Sequence, residues 1–512
     1  MTPRSAGPRE LVLGTKKLES PHCLLLLYPH LYQVGMSSLG YLSVLGLVDS
    51  VEGWHAERAF RGDVRSREKR KTFSSFDVVA FSVSYEPDLL HLPEMLRSGS
   101  LEPAPAARSE ADPLILVGGA AVGLNPEPLA AIADLIIRGE GEEIIPPLLK
   151  TIAECAGSPR TVLLEACARL PGVYAPALKS FFSPAPAPKD PWARIPPVHY
   201  LCGSSVFPWR ALVETGRGCG RGCRFCAAGF LYRPVRYRPS AEIAAEVGIY
   251  RGSTDRVGLV SPSVSDHPEV ADLVGRLVKD NWRVSLSSLR AETASGELLR
   301  ALARGGQNEI ALAPEAGSED LRRRINKEID PGTLVRVLAE ARRAGLRRAK
   351  LYFLVGLPGE REEDLAGIVR LCGECAGVIP LRIGISPFVP KPGTPFQADP
   401  ILDLSELKGR MKRLGRSLRK LPGVEVSLGS AREALLQTVL ARGDRDIIEL
   451  INREGLAAGV EATRPFSPRT GPFTSAGSVS AEYLRLERER AEREELTPPC
   501  PDSGCRRCGA CC

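Results

Sequence analysis

Residues 211–226 read ALVETGRGCGRGCRFC, and this stretch is the most informative part of the sequence about the fold. Its first four residues predict a short buried strand, and a glycine-rich loop follows the strand directly. The loop places Cys219, Cys223 and Cys226 at C-x3-C-x2-C spacing. Four glycines, which let the backbone fold around a bound group and point amides at it, stand at positions 216, 218, 220 and 222.

Three thiolates on one loop can bind three irons of a cubane iron–sulfur cluster and leave the fourth iron without a protein ligand. An electron-transfer cluster normally has four protein ligands, so the missing fourth ligand indicates a cluster that reacts. Zinc is the alternative, but a structural zinc site takes four ligands, and no fourth Cys or His is near in the sequence.

The strand at 211–214 is the first of six predicted strands, each followed by a predicted helix. The others lie at 256–260, 284–286, 309–313, 350–355 and 382–387. Six such units predict a partial barrel of parallel strands, in which the chemistry lies on the loops after the strands. The three cysteines would then occupy the first of these loops.

The preceding part of the chain predicts a second α/β domain. Apolar strands at 24–27, 77–85, 114–119 and 135–137 alternate with helices such as 86–97 and 142–155. This alternation predicts a Rossmann-like parallel sheet with helices on both faces, which binds ligands at the carboxyl ends of its strands. The predicted divisions are 1–180 for this domain, 181–197 for a proline-rich linker, 198–400 for the barrel, 401–496 for an accessory region and 497–512 for a cysteine-rich tail.

The three-cysteine loop resembles that of the radical S-adenosylmethionine (radical SAM) superfamily. Further stretches resemble a branch whose members carry an amino-terminal cobalamin-binding-like domain. They are YPHLYQVGMSSLG (28–40), ILVGGAAVGLNPEP (115–128), DLIIRGEGEE (134–143), ALAPEAGSEDLRRRINK (311–327), KLYFLVGLPGEREED (350–364), SPFVPKPGTPFQ (386–397) and ARGDRD (441–446).

The resemblance implies that a [4Fe-4S] cluster on the three cysteines binds S-adenosylmethionine and cleaves it reductively to a 5′-deoxyadenosyl radical. The electron would come from a donor such as flavodoxin or ferredoxin. The branch is largely uncharacterised in reaction. Methyl or methylthio transfer to RNA or protein is the product class that its relatives imply.

The resemblance also implies roles for residues beyond the cysteines. Phe225 matches an aromatic residue beside the cluster and adenine, and Gly356 belongs to a turn near adenine. Ser288 and Arg290 follow the third strand, where the arginine can pair with the cofactor carboxylate or lie on the surface. Glu315 follows the fourth strand and can accept hydrogen bonds from the cofactor amine or ribose.

Two departures from the family pattern stand out. The second strand often ends in Gly-Gly-Glu, whereas residues 261–263 are Ser-Pro-Ser, so the amine contact is altered or made by backbone. The Asp-x-His-x-x-Gly motif of many cobalamin domains is absent. Either cobalamin binds without a histidine ligand or the sheet serves the substrate or a partner, and the missing motif favours the second interpretation.

The last residues, PPCPDSGCRRCGACC (498–512), contain a second group of cysteines. Cys500, Cys505, Cys508 and Cys511 suit a second iron–sulfur cluster or a zinc site, with Cys512 as a spare thiol. The segment is too short and polar to bury a core, so a metal would supply its folding energy. A tail without metal is the alternative. In contrast, C-x2-C at 372–375 lies on a predicted helix and indicates core packing.

The composition restricts location and partners. The chain has 512 residues, an apolar fraction of 43%, 14 cysteines and a net charge of +7. No stretch approaches about 18 apolar residues and no secretory signal is visible, which predicts a cytoplasmic protein that is not bound to a membrane. Thiols stay reduced there and tend to bind metal.

A basic run at 408–420, together with the arginines at 322–324, can contact RNA phosphates or form a solvated helix face. The alternative function is therefore a non-catalytic iron–sulfur or zinc protein that binds RNA.

Overall fold

The computed structural model describes residues 9–178, 183–188, 190–193, 199–463, 479–501, 505 and 507–510. These residues form two compact units. The first extends to Arg210 and includes Val439–Thr463, and the second comprises Ala211–Thr438 and the described residues after Gly477. Within the described part, no helix is long and apolar enough to cross a membrane.

The first unit is built on a parallel sheet. Its strands are β1 (Glu10–Leu13), β2 (His22–Tyr28), β3 (Trp54–Phe60), β4 (Val78–Ser82), β5 (Leu114–Gly118), β6 (Leu135–Ile137), β7 (Val173–Tyr174) and β8 (His199–Cys202). Its α-helices before residue 200 are α1 (Tyr32–Gly35), α2 (Leu39–Ser50), α3 (Leu92–Ser98), α4 (Ala120–Leu124), α5 (Gly141–Glu154) and α6 (Arg160–Ala168).

The strand order in the main sheet of this unit is β3-β2-β4-β5-β6-β7. All pairs are parallel except β6 with β7, and β1 pairs separately with β8 in antiparallel fashion. The chain leaves β2 toward β3 on one side and returns to β4 on the other. The crevice between β2 and β4 is therefore a topological switch point, where open α/β sheets bind ligands.

Hydrophobic burial on both faces accounts for this sheet. All residues of β2 after His22 are buried, as expected for a parallel strand covered on both sides. Helix α5 turns Ile144, Leu148 and Ile152 toward the core that contains Leu24 and other β2 side chains. The Rossmann-like fold and the four predicted strands are confirmed. The helix predicted at 86–97 begins as a 3-10 turn at Glu86 before α3.

Strand β3 was absent from the sequence prediction because its residues, WHAERAF, include charged side chains. All seven residues are nevertheless buried. Arg58 in this strand is bound by Glu10 and Glu68 at 2.7 and 2.6 Å, and Glu57 pairs with Lys71 at 3.1 Å. These ion pairs offset the desolvation cost of charges in a buried strand.

The second unit contains the predicted barrel strands. Its strands are β9 (Ala211–Glu214), β10 (Gly216–Arg217), β11 (Arg236–Tyr237), β12 (Arg256–Val260), β13 (Arg283–Leu286), β14 (Glu309–Glu315), β15 (Arg348–Val355), β16 (Leu381–Pro387) and β17 (Val424–Leu428). The helices between them are α7 (Ala228–Leu231), α8 (Ser240–Ile249), α9 (Val270–Lys279), α10 (Gly296–Arg304), α11 (Glu319–Arg324), α12 (Pro331–Arg343), α13 (Glu362–Ala376) and α14 (Leu404–Leu418).

The remaining helices follow β17. Helix α15 (Ala431–Arg442) comes next, α16 (Ile447–Glu454) and α17 (Leu456–Thr463) belong to the first unit, and α18 (Ala481–Glu492) belongs to the second.

The second unit's long strands form two parallel sheets, β9-β12-β13 and β14-β15-β16-β17. A backbone hydrogen bond links the two sheets. Just after β13, the Leu289 N–H donates to the carbonyl of Ala311 in β14 at 2.9 Å. The six predicted strands are confirmed, and β17 adds a parallel neighbour to β16. The expectation that Cys372 and Cys375 pack in the core is also confirmed, since both are fully buried on α13.

Candidate cluster and cofactor site

The three-cysteine loop begins directly at the carboxyl end of β9. The Thr215 N–H donates to the Val260 carbonyl of β12 at 2.9 Å, and the chain then forms the short β10–β11 hairpin. Gly218 has a φ of +79°, and a Cβ there would lie 2.1 Å from the Tyr232 carbonyl oxygen. Only glycine allows this close approach of two backbone segments. The loop is thus held at the strand ends, where barrel chemistry takes place.

Backbone amides converge on the thiols of this loop. The Arg221 N–H points to the Cys219 sulfur and the Ala228 N–H to the Cys226 sulfur, while the Gly229 N–H donates to the Cys226 carbonyl at 3.1 Å. Burial raises the pKa of the Cys226 thiol to about 12 and also raises the pKa of the Cys219 thiol. A thiolate at these positions therefore needs a cation in place of the proton, and N–H donors to sulfur are a property of iron–sulfur sites.

The thiols are not arranged around a single ion. Among the residues that the structure describes, no three or more Cys, His, Asp or Glu side chains are gathered in a way that could hold one metal ion. A cubane cluster instead takes one thiolate per iron, which suits thiols spread along a loop. The donor set fits the cluster better than it fits zinc.

A buried carboxylate after β12 orients the loop. Asp266 accepts two hydrogen bonds from Arg221, at 3.0 and 2.7 Å, and one from Ser263 at 2.8 Å. Burial opposes its ionisation, but these hydrogen bonds, together with the charges of Arg221 and Arg290, lower the pKa of the Asp266 carboxyl. Asp266 was not among the predicted site residues. It lies three positions after the Ser-Pro-Ser sequence (261–263) that replaces the family's Gly-Gly-Glu.

Arg224, between the second and third cysteines, fastens the loop to the rest of the unit. Its side chain is fully buried and pairs with the buried Glu487 of α18 at 3.1 Å. It also donates to the carbonyls of Arg323, Arg324 and Glu495, at 3.1, 3.0 and 2.7 Å. Because the guanidinium is planar and has five N–H donors, it can bind these separate segments at once.

Asn326 performs a similar task from the end of α11. Its amide nitrogen donates to the carbonyls of Arg221 and Gly222, at 3.0 and 3.2 Å. Its amide oxygen accepts the N–H of Thr497 at 2.9 Å. One side chain thus connects the cysteine loop to the segment that leads into the tail. Arg224 and Asn326 were not predicted, because their partners are far away in the sequence.

Arg290 lies close to the cysteine loop. Its side chain is 12% exposed, its backbone N–H donates to the Ser265 hydroxyl at 2.9 Å, and its charge acts on Cys219, Asp266 and Glu315. Within the described residues its buried Nε has no hydrogen-bond partner. Ser288, two positions earlier, is half-buried in the same segment.

Glu315 ends β14 in an unusual backbone conformation. Its φ is +69°, and the register between β14 and β15 shifts between Leu312 and Glu315. Such strain in a residue other than glycine is concentrated at functional sites. Burial raises the pKa of the Glu315 carboxyl, and the charges of Lys327 and Arg290 partly offset this effect. Lys327 is only 8% exposed; the sequence interpretation gave it no role, although a lysine buried near a carboxylate can bind an anion.

Phe225 and Gly356 differ in their surroundings. Phe225 packs against an apolar cluster that contains Leu321 and Phe396, as loop packing would require. Gly356 has a φ of +89° at the end of β15, and its N–H donates to Glu360 at 2.9 Å.

The tail cysteines approach the same loop. The Cys500 N–H donates to the Gly220 carbonyl at 2.8 Å. Cys500 and Cys505 are half-buried and Cys508 is buried. Cys511 lies outside the described residues, as do parts of the predicted linker.

The switch point of the first unit carries a separate polar group. Asp88 follows β4 and is 5% exposed. Burial raises the pKa of its carboxyl to about 6, and the charge of Arg61 acts in the opposite direction. His91 lies near Arg61 as well. Gly119, at the same edge, is required for packing, because a Cβ there would lie 2.3 Å from the Val83 carbonyl oxygen.

Most of the basic run at 408–420, for which RNA contact and a solvated helix face were the two interpretations, lies on α14. Arg410 on this helix pairs with Glu360 and Glu406, at 3.1 and 2.8 Å, and Arg413 pairs with Glu362 at 2.7 Å. Arg322 is buried and donates to the Ala316 carbonyl at 3.2 Å. These cations are therefore engaged within the unit.

Comparison with known proteins gives the class. Residues 48–176 match the family described as radical SAM proteins, N-terminal, and residues 213–372 match the radical SAM superfamily. An uncharacterised protein of Methanocaldococcus jannaschii is 28% identical over 462 residues, which are 88% of this chain and 96% of that protein. The threonylcarbamoyladenosine tRNA methylthiotransferase MtaB of Treponema pallidum is 26% identical over 202 residues, which are 37% of this chain and 40% of that protein.

Two solved structures share the fold. The radical S-adenosylmethionine methyltransferase TsrM of Kitasatospora setae, with cobalamin and a [4Fe-4S] cluster bound, has a TM-score of 0.55 at 14% identity and covers 74% of each chain. The cobalamin-dependent enzyme OxsB with aqua-cobalamin has a TM-score of 0.51 at 14% identity, over 72% of this chain and 54% of that one. The chain belongs to the radical SAM superfamily. It is a radical SAM enzyme, which decides between the two predicted functions.

Proposed function

We propose that Cys219, Cys223 and Cys226 hold a [4Fe-4S] cluster whose fourth iron binds S-adenosylmethionine. The observation that carries the proposal is the position of the three cysteines on a loop at the strand ends, where backbone N–H groups point to the half-buried sulfurs of Cys219 and Cys226. When bound, the cluster and cofactor supply a 5′-deoxyadenosyl radical, after one electron from a reductant breaks a carbon–sulfur bond of the sulfonium and methionine leaves. A flavodoxin or ferredoxin is the donor class we expect.

The chain's own residues would position the cofactor. Arg290 and Lys327 are cations with little exposure beside the loop and β14, and they suit the carboxylate of the methionine part. Glu315, between these charges, would accept hydrogen bonds from the amine or the ribose. Because Glu315 is desolvated, a hydrogen bond to it is stronger than in water. Phe225 and Gly356 would flank the adenine side, and Ser288 would line the wall after β13.

The anchoring residues keep the loop in one geometry. Asp266 fixes Arg221 through two hydrogen bonds, and Arg224 and Asn326 bind the loop to distant segments. A reactive cluster requires such rigidity, because a small displacement of the cofactor would separate the reacting atoms. The loop residues thus act as positioning groups.

For the substrate, we propose methyl or methylthio transfer to RNA or protein. The support is the similarity of about a third of the chain to a tRNA methylthiotransferase. A direct test supplies S-adenosylmethionine with a labelled methyl group and total RNA or protein from the source cell, and then locates the label. Label in RNA or protein that depends on the three cysteines would support the proposal, and label in neither fraction would contradict it.

The radical chemistry is tested on anaerobically reconstituted protein. With S-adenosylmethionine and dithionite, we expect 5′-deoxyadenosine by chromatography. The triple variant Cys219→Ala, Cys223→Ala and Cys226→Ala should form none, whereas Cys155→Ala, which removes an isolated half-buried thiol, should match the wild type. Absence of deoxyadenosine from a wild type with a full cluster would refute the proposal.

A further inference from the structure

The four-stranded sheet β14-β15-β16-β17 has two unlike faces. Along β15, Leu351 and Phe353 are fully buried, and helices α13 and α14 pack against this sheet. Lys350, Tyr352 and Leu354 alternate with these core residues and are partly buried or exposed, because successive side chains of a strand point to opposite faces. The helices therefore cover one face. The other, which we call the open face, carries Lys350 and Tyr352.

Ion pairs join the amino-terminal end of the open face. Arg348 and Arg382 each pair with Glu309 and Glu425, at distances from 2.8 to 4.0 Å. Arg382 is the register partner of Lys350, so this network lies on the same face as Lys350 and Tyr352. Because its charges compensate each other, the network forms the floor of the open face.

Tyr352 presents an aromatic ring above this floor. The Lys350 Nζ lies 4.7 Å from the centroid of the ring. Gly384 is the register partner of Tyr352 on β16, and a Cβ there would lie 3.0 Å from the ring, so the ring lies close against the β16 backbone. Tyr352 is nevertheless 36% exposed. An exposed ring that its neighbours hold in place offers a surface on which a flat group can stack.

The ring lies below the edge of the sheet that carries the chemistry. Three residues separate Tyr352 from Val355, where β15 ends, which corresponds to about 10 Å along the strand. The cysteine loop begins at the carboxyl end of β9, and the carboxyl ends of parallel barrel strands lie at one edge. A group stacked on Tyr352 would therefore lie beneath the edge at which the proposed cluster binds its cofactor.

We propose that Tyr352 and Lys350 bind a nucleotide of an RNA substrate, with the base stacked on the phenol ring and a phosphate paired with the ammonium. This proposal rests on the proposed function, which leaves RNA and protein as substrate classes. A nucleotide presents a flat ring and an anion together, as the neighbouring ring and ammonium require, and most protein side chains present one of the two at most. The flexible stem of Lys350 allows its ammonium to move from the ring to a phosphate.

The ring is tested by RNA binding to the full chain, reconstituted with its cluster and without S-adenosylmethionine. The probe is labelled total RNA from the source cell, retained on a filter. Tyr352→Leu keeps an apolar side chain beside Gly384 and removes the ring. Loss of stacking on one base typically weakens binding about 5–100-fold, so the Kd should rise within that range. Tyr352→Phe keeps the ring and should bind like the wild type.

The matched control is Phe207→Ala, which removes a 46% exposed ring of the first unit and should leave the Kd unchanged. Ultraviolet cross-linking of the same RNA, followed by mass spectrometry of the peptides, should place nucleotide adducts on the peptide that contains Tyr352. An unchanged Kd in Tyr352→Leu, or adducts confined to the basic run at 408–420, would overturn the proposal.

The charge of Lys350 is tested by the salt dependence of binding. Each phosphate contact to single-stranded RNA contributes about 0.7 to the slope of log affinity against log salt concentration, so Lys350→Met should lower the slope by about that amount. Lys350→Arg keeps the charge and should restore the slope, which a role in packing alone would not do. The control Lys420→Met changes an exposed lysine of the basic run. A slope that falls in Lys420→Met and not in Lys350→Met would refute the role of Lys350.

The two proposals can fail separately. Deoxyadenosine production reports on the cluster loop, whereas RNA binding is measured without the cofactor and without turnover. RNA binding that depends on Tyr352 would support the nucleotide site even if no deoxyadenosine formed. Normal deoxyadenosine production with methyl label that enters protein and not RNA would overturn the nucleotide site and leave the radical chemistry intact.

Discussion

Replacement of Arg224 by methionine tests whether the cluster loop depends on a buried ion pair. The guanidinium is fully buried, and its partner Glu487 is 1% exposed. Methionine keeps much of the apolar stem and removes the charge together with the hydrogen bonds to three carbonyls. Loss of this one side chain should therefore destabilise the second unit and loosen the loop that carries the cysteines.

The expected loss in the free energy of unfolding follows from the buried Glu487 carboxylate that remains without its arginine. Removal of one partner of a buried ion pair costs about 3–5 kcal/mol, since the other charge stays buried. Glu487 keeps hydrogen bonds from Arg490 at 2.7 Å and from the Thr497 hydroxyl, which places the cost near the lower end. Three carbonyls that lose a donor add to it. We expect about 4 kcal/mol.

The measurement is calorimetric unfolding of the apoprotein, with the transition of the second unit assigned by proteolysis. For a unit of this size, about 4 kcal/mol corresponds to a decrease in Tm of about 8–16 °C. The matched control is Arg413→Met, which breaks an ion pair whose side chains are 56% and 61% exposed and should cost less than about 1 kcal/mol. Retention of iron after reconstitution should fall in Arg224→Met only.

A double variant separates charge from packing. In Arg224→Met with Glu487→Gln, the buried carboxylate is gone, and part of the lost stability should return through a coupling of about 1–3 kcal/mol. If Arg224→Met lowers the Tm no more than Arg413→Met does, the buried ion pair contributes little and the anchoring argument is wrong.

Three further predictions concern single residues. Gly218→Ala should prevent iron retention, because its Cβ would lie 2.1 Å from the Tyr232 carbonyl oxygen. In the control Gly220→Ala, the new Cβ lies at an ordinary 3.4 Å from Cys500, so this variant should retain iron. Equal iron retention in the two variants would contradict this prediction. Lys327→Met should raise the Kd for S-adenosylmethionine about 10–100-fold in equilibrium dialysis, since a charge-assisted hydrogen bond contributes about 1.5–3 kcal/mol, while Lys420→Met should not. The pKa of Asp88 is raised from 3.8 to about 6, so the unfolded state binds fewer protons between these values. The free energy of unfolding of the first unit should therefore fall by about 3 kcal/mol in total as the pH rises from below 3.8 to well above 6. Asp88→Asn should remove that decline, and an identical pH profile in the variant would refute the assignment.

The pattern of apolar residues was sufficient to predict the strands that are buried along their whole length. The apolar runs in β2, β4 and β5 predicted buried parallel strands, because each run is covered on both faces. Strand β3 was missed since its charges are compensated by partners at other positions in the chain. The short β17 was missed because all five of its residues are only partly buried or exposed.

The candidate site shows the same division. The three cysteines, the glycines that allow the loop to turn and the class of enzyme could be predicted from the sequence, because this information lies within a few consecutive residues. The residues that hold the loop in place became visible in the folded chain alone, since their partners are distant in the sequence. Asp266 is 45 residues from Arg221, Asn326 is 105 from it, and Glu487 is 263 from Arg224. A buried charge or amide requires a hydrogen-bonding or charged partner nearby in space. The spacing of residues along the chain does not identify that partner, because the two groups are brought together only by folding.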